Sequence, residues 1–511
     1  MSSSPFEAAA SPGGRVVIPA PAVTPPPFPS EVREPLLTPR ISSYRSQSMQ
    51  PPSSWEAGTH MVKSILGVAL LALPRVFSML GIGAGSICLA AVALLAYASL
   101  HALAKASART GVMNMSVLAR EELGVTGQAV LDMALIFNCF GMLVVYLVVI
   151  GDMLVGSPGE PGILTQDCGS RRVVLAVVAV VLLAPLVSST STCARRGSGG
   201  GVLCLAPNGT WWIGPEDGGR AARWAGASAL GVAAILLWAA VSLILFIIAA
   251  NNGALSHMHW WPKGHALIGH GFKSAVELTS LLSIMLVAYT CHWTLQHSVR
   301  MQSASSVRER QAQGVSAGAI AASTATFLLI SICSYGVFGN ATSADVINNY
   351  SVETLSKLLI PELAQAGFFG IRLGVLIALL LSFPLHASGR EGMRVMAPLR
   401  TSLWQLVFRQ PLQGPGLYLV TYVTLGAAWL AAAHLSDIWS VLILIGSTAG
   451  VLISLILPGL LSVGMEETLT ETRGSKIRRQ GGGLVLILFG IGIGAAGILH
   501  LAMYAGKTPH F

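Results

Sequence analysis

Lys63 and Arg75 stand inside the apolar run MVKSILGVALLALPRVF, Met61 to Phe77. A bilayer makes such charges expensive unless they are paired or put to use. The Lys63 ammonium could occupy a cation site and take up or release a proton as part of a coupling cycle. It could equally snorkel to the surface past Trp55, or sit in a static ion pair with Asp132. Arg75 is expected to pair with Glu277. Further along, Tyr289, Thr290 and His292 place polar groups in the middle of another apolar run, which argues for a cavity rather than lipid around them. His292 could shuttle protons or bond a ligand, or simply be satisfied by a nearby carbonyl. Asn138 reads as a bond between neighbouring helices.

Gly67 and Pro74 bracket an apolar stretch in which the helical hydrogen-bond ladder is weak. A broken helix there could hold a carboxylate on its freed amides and an ammonium on its freed carbonyls. An ordinary packing kink would carry the same two residues. The histidines His257, His259, His265 and His270 could bind Zn²⁺ or Cu²⁺, but their stretch has no cysteine or carboxylate, and Trp260 and Trp261 suggest a membrane-interface segment. No metal and no cofactor are therefore expected. No HExxH, GxSxG or Walker loop is present, which points away from an enzyme.

These groups need helices of membrane length to position them. Of the 511 residues, 53% are hydrophobic and 10% charged, against roughly 25% charged in an average soluble protein. Apolar runs of the length that crosses the bilayer recur at about 58–80, 84–106, 126–152, 171–190, 225–249, 274–297, 314–338, 368–389, 416–434, 437–462 and 483–505. Ser116 to Leu123 is expected to be an interfacial helical turn. Residues 1–54 hold 12 of the 26 prolines and 11 serines, too little apolar surface to fold, so they form a disordered tail. Residues 55–511 form one transmembrane domain, with a Gly- and Ser-rich flexible insertion at about 192–223. Within the tail, Ser43 and Ser48 follow arginine-led patterns and EPLL at Glu34 to Leu37 resembles a sorting signal. The run GIGIGAAG in the last apolar segment permits close packing or dimerisation.

With the tail in the cytoplasm, 22 of the 31 Lys and Arg fall on its side of the membrane and 6 on the other, so the positive-inside rule puts the tail inside and the carboxyl terminus outside. The net charge of +9 is spread among the loops rather than gathered in a stripe with aromatics, which argues against nucleic acid. The seven cysteines show no CxxC pair, and only Cys168 falls in an outer loop, so no disulfide framework is expected. On this topology Asn114 and Asn208 stay bare, whereas Asn340 and Asn349 are candidates for N-glycosylation. Segments 1–5 and 6–10 are similar in length, and two five-helix units must have opposite orientations, as in inverted-repeat transporters.

MVKSILGVALLALPRVF resembles the first helix of the amino acid/auxin permease family, closest to its sodium-coupled neutral amino acid transporter branch. Phe140 to Leu154, Ala184 to Leu186, Ala288 to Trp293 and Ile371 to Leu385 are similar to that family's third, fourth, sixth and eighth helices, in the same order. The resemblance implies an all-α polytopic membrane protein with about 11 transmembrane helices, a 5+5 inverted repeat of the bacterial leucine transporter type plus one extra helix. It also implies symport of small amino acids. Two positions depart from the family pattern: Ala69 replaces a glycine, and Lys63 replaces an asparagine that would help ligate Na⁺. A charged lysine has no lone pair to give. In the coupling reading the ammonium stands in for sodium, ties the first helix to the eighth near Ser382, and makes H⁺ the favoured coupling ion over Na⁺.

The expected function is thus cation-coupled transport of small neutral amino acids across a plasma, vacuolar or endolysosomal membrane, by a monomer or weak oligomer. The substrate would meet Gly67, Val68, Ala69, Tyr289, Thr290 and His292. The alternative is a sensor that binds amino acids on the same fold without net transport. A channel is a weaker third reading, since no ring of like charges is visible.

Overall fold

The computed structural model describes residues 54–504, apart from 113–114, 158–159, 165–169, 184–192, 196–201, 206–210, 215–217, 263–270, 299–304, 386–402, 404–414, 436 and 466–471. The tail with Ser43, Ser48 and EPLL, and also Asn114, Cys168, Asn208, His265 and His270, lie outside the described residues.

The first apolar segment is broken where Gly67 and Pro74 suggested. α1 spans Ser54–Ile65, a 3₁₀ turn covers Val68–Leu71, and α2 runs Leu73–Leu80 with Pro74 in its first turn, where its missing N–H costs nothing. α3 is Ile82–Thr110. α4 is Met115–Leu154 with Gly124 at φ 76°, so the expected interfacial turn lies before the kink and the crossing after it. α5, Arg171–Val177, continues as a π-helix through Val178–Leu183, and α6 is Gly218–Asn251. The second break separates α7, Phe272–Ala288, from α8, His292–Ser298. α9 is Ser305–Phe338, α10 Val352–Ser356, α11 Pro361–Leu385 and α12 Pro415–His434. α13, Ile438–Ile445, is capped by Asp437 and passes through two π-helical turns into α14, Leu457–Gly464; α15 is Arg473–Tyr504.

Among the described residues eight helices are long and apolar enough to cross a membrane. The chain is a multi-pass membrane protein. Outward-facing Leu94, Val180, Leu237, Val423 and Leu488 are exposed, an apolar girdle that lipid covers. Inside it, α1 packs on α6, α8 and α9, while α15 lies against α7 and α14. The glycines of α15 serve packing within the chain: a methyl at Gly497 would lie 2.4 Å from the Ser447 Cβ, whereas nothing stands within 4 Å of one at Gly492. The insertion is not featureless. Cys193–Arg195, Val202–Leu205 and Trp211–Gly214 pair as an antiparallel three-stranded sheet.

The carbonyls of His259 and Trp260 accept from the amides of Ile82, Gly83 and Ala84 and so satisfy the otherwise unpaired start of α3. Gly81 makes this possible, with φ 82° and a position where a Cβ would lie only 2.8 Å from the His259 carbonyl oxygen. His257 is exposed and His259 half-buried, and no three metal-ligating side chains cluster among the described residues.

Arg75 does not meet Glu277. Its guanidinium donates to the carbonyls of Asn340 (3.1 Å) and Thr342 (2.9 Å), fastening α2 to the loop after α9. Glu277 instead accepts from the Tyr504 hydroxyl and lies 4.0 Å from Lys273, because both are carried to it by the helix ends at that surface. Asn340 is exposed. Asn349 uses both ends of its amide within the loop, donating to Ala341 (2.9 Å) and accepting from Ser343 (2.7 Å). The loop is also closed by Asp345, one of whose oxygens accepts from the Ile347 amide at 3.0 Å.

Burial pushes the Asp345 carboxyl up to about 7, helped by the charge of Asp152 and opposed by the Ile347 amide and Arg372. Arg171, the remaining charge of this cluster, is ion-paired with Asp152. The unfolded carboxyl titrates near 3.9, so between about pH 4 and 7 the folded loop holds a proton that the unfolded chain has lost. Loop stability is therefore highest in acid and falls as pH rises through about 7. Hydrogen exchange of residues 339–351 should accelerate from pH 5 to pH 8 beyond the intrinsic rate, and Asp345→Asn should abolish that excess.

A candidate substrate cavity at two broken helices

The backbone at the first break leaves the helical path at Leu66 and Gly67. The Gly67 amide turns back to Ile65 (2.7 Å) and its carbonyl begins the 3₁₀ turn by accepting from Leu70 (3.2 Å). The amides of Val68 and Ala69, first in that turn, have no intrahelical partner by construction. At the second break Tyr289 and Thr290 bond back only three residues, to Leu286 and Val287, and Cys291 bonds to Tyr289. Non-helical backbone at this depth is tolerated where it lines a cavity, and a cavity of about 20 Å³ lies here.

Gly67 and Ala69 line it from the first break and Thr290 from the second. The remaining walls are Ser64 and Ile65 of α1; Asn138, Met142 and Tyr146 of α4; and Val287, Ala288 and Trp293. The α4 residues recur every four positions and so share one face. Among the described residues no charged side chain lines the cavity.

Three residues singled out in the sequence lie behind this wall. Val68 is fully buried in the core. The Tyr289 hydroxyl meets that of Thr324 on α9 at 2.6 Å, and its ring is edge-on to Phe327 at 5.5 Å. His292 meets Ser99 of α3 through Nε2 at 2.7 Å. Since the Ser99 hydroxyl donates to the Ser454 carbonyl, His292 donates through Nε2–H and Nδ1 is its bare acceptor. His292 thus makes a contact with a hydroxyl rather than with a carbonyl. Thr290 donates to Leu286 (2.9 Å) and accepts from the Ser454 hydroxyl (3.1 Å), so Ser454 touches Thr290 through its hydroxyl and Ser99 through its carbonyl.

Asn138 does not bond between helices. It is 1% exposed, and neither its Oδ1 nor its Nδ2 has a hydrogen-bond partner among the described residues. Ser64 Oγ and Trp293 Nε1 share that condition. Sequence reasoning passed over Met142 and Trp293; the four-residue spacing from Asn138 to Tyr146 was the one signal that could have marked the α4 face.

Lys63 neither snorkels nor pairs with Asp132. Its side chain is 3% exposed, and Nζ donates to the Ala378 carbonyl of α11 at 3.2 Å. Asp132 instead accepts from Ser116 at 2.6 Å. The lysine points away from lipid because α6 offers room at Gly231, where a Cβ would come within 2.7 Å of Lys63 Cε and 2.8 Å of Nζ. Ser382 follows Ala378 by one turn of α11; its side chain lies outside the described residues.

The family model for transmembrane amino acid transporter proteins matches residues 50–191 and 227–503. Amino acid transporter AVT6E of Arabidopsis thaliana is 24% identical over 428 residues, covering 81% of this chain and 77% of its own. Vacuolar amino acid transporter 5 of Schizosaccharomyces pombe is 24% identical over 409 residues, covering 78% and 81%. Among solved structures, a manganese transporter of Eremococcus coleocola superposes with TM-score 0.55 at 12% identity, over 92% of this chain and 93% of that one. Mhp1, a nucleobase-cation-symport-1 family transporter, gives 0.51 at 12% identity, over 90% and 94%. These two likenesses show the fold alone, the inverted-repeat fold of the bacterial leucine transporter.

Gly231→Ala forces the Lys63 head from Ala378. The thermal midpoint should fall in the wild-type background and hold in Lys63→Ala, a coupling of about 0.5–3 kcal/mol in a double-mutant cycle.

Proposed function

The chain belongs to the transmembrane amino acid transporter family, and from that premise we propose that it is a secondary active transporter of small neutral amino acids, driven by H⁺ in place of Na⁺. The observation that carries this reading is the pairing of an uncharged cavity at two helix breaks with a buried ammonium one residue from its wall.

A zwitterion needs donors for its carboxylate and acceptors for its ammonium. The amides of Val68 and Ala69 supply the first, aided by the half-helix that follows them, and the carbonyls freed at the two breaks supply the second. With no counter-charge in the wall, a charged substrate side chain would be left buried and unpaired, which disfavours it. The cavity volume of about 20 Å³ suits about one water molecule, so a substrate enters by displacing wall side chains such as Met142 and Trp293, and a small one does so at least cost.

Lys63 reaches from α1 to α11 as a bound cation would, with the charge tethered to the chain. Releasing its proton removes the charge that makes the bond to Ala378 strong, and so loosens α1 from α11 at one stage of a transport cycle. If Lys63 keeps its proton throughout, the same bond is a permanent bolt and favours the second reading, an amino acid sensor without net transport. The vacuolar names of the fungal relatives support a vacuolar membrane, and the excess of Lys and Arg on the tail's side supports a cytoplasmic amino terminus.

In proteoliposomes, an imposed pH gradient should drive wild-type uptake of labelled neutral amino acids, and Lys63→Asn should lose that drive by tenfold or more. Uptake driven by Na⁺ and unchanged in Lys63→Asn would refute proton coupling through this lysine. Specific binding of the same amino acids without uptake under any gradient would establish the sensor.

A further inference from the structure

We infer that Asn138 selects the substrate by its side chain, favouring neutral amino acids whose side chains carry a hydroxyl or an amide over aliphatic ones of the same size. This rests on the transport reading above.

Asn138 is one of the few side chains among the described residues with both a donor and an acceptor buried and unmatched. It stands in the wall of the cavity, on the α4 face that continues through Met142 to Tyr146, across from the two backbone breaks. Buried amides are almost always matched; one left open beside a cavity is matched by what the cavity takes in. The backbone breaks hold the two charged ends that every amino acid shares, so the part of the substrate that varies is left for the walls. An α-carboxylate has acceptors only and would engage Nδ2 while leaving Oδ1 open. An ammonium has donors only and would do the reverse. A hydroxyl or a carboxamide carries both, and satisfies Nδ2–H and Oδ1 together. A methyl in the same place leaves both orphaned, a penalty that sites built around a polar contact use for discrimination. Ser64 Oγ and Trp293 Nε1, unmatched in the same wall, extend the polar lining without adding charge.

The test uses isosteric pairs, threonine against valine and asparagine against leucine, as labelled substrates in proteoliposomes with the wild type and Asn138→Leu. Thermal stabilisation of the detergent-solubilised wild type by each amino acid provides a reading independent of the variant's folding. The wild type should favour the polar member of each pair by about tenfold or more in kcat/KM and be stabilised more by it. Asn138→Leu should bring both ratios to about one or invert them, while valine and leucine uptake stays within a few fold. A wild type that does not distinguish the members of a pair overturns the inference. So does a variant that loses polar and aliphatic substrates equally, since that marks a structural asparagine. Absence of uptake for every amino acid in the wild type, with no stabilisation by any, overturns the transport reading itself and this inference with it.

Discussion

A bilayer offers no water to a stray charge, so the ammonium of Lys63 has to be held by protein. It is held by a carbonyl of α11 and by the space that α6 leaves at Gly231. That single requirement draws three helices together from positions 63, 231 and 378 of the chain. It also fixes the rotation of α1 about its axis: with Lys63 turned toward α6 and α11, the next two residues, Ser64 and Ile65, face the cavity. Removing the charge removes the reason for this arrangement.

A second constraint acts on the backbone. Amides and carbonyls released from a helix in the membrane must find partners or a polar guest, and both breaks release them at the same place. Around them the side chains divide by task. Tyr289 bonds to Thr324, and His292 to Ser99, which in turn bonds to the Ser454 carbonyl; these contacts brace the breaks from behind. Ser64, Asn138 and Trp293 keep unmatched polar atoms at the cavity. The bracing set bonds within the protein except at His292 Nδ1, and the open set keeps its polar atoms at the cavity. Arg75 ties α2, the half-helix beyond the first break, to the loop that Asp345 closes, so movement at the break has this contact to undo.

Local signals were legible in the sequence because their causes are local. Gly67 and Pro74 weaken a ladder of neighbours, and a bilayer-length apolar run declares itself by length alone. The polar run at Tyr289 to His292 was legible as a place that needs a cavity rather than lipid, whereas the helix break that falls there carried no signal of its own. What the sequence left open was direction. Counting residues from Trp55 to Lys63 gives depth along a helix but not rotation about it, so snorkelling and burial looked alike. Arg75 and Glu277 were matched by depth and charge, yet Arg75 found loop carbonyls 265 and 267 positions away, and Glu277 found Tyr504. His292 looked like a ligand group and is turned toward Ser99, 193 residues distant; Asn138 looked structural and is open to the cavity. In each case the deciding partner comes from a helix remote in sequence, and apolar periodicity carries no record of which remote helix will be adjacent.

The most direct test of the buried anchor is reductive methylation of the folded protein in lipid nanodiscs, read residue by residue by mass spectrometry of its peptides. Lys357, exposed on a loop with Glu353 beside it at 3.4 Å, sets the rate of an accessible amine. If Lys63 is held on Ala378, it should remain unmodified while Lys357 reacts to completion, and should react once the protein is denatured. Methylation of Lys63 in the native protein at a rate near that of Lys357 would place its amine at the membrane surface and contradict the account.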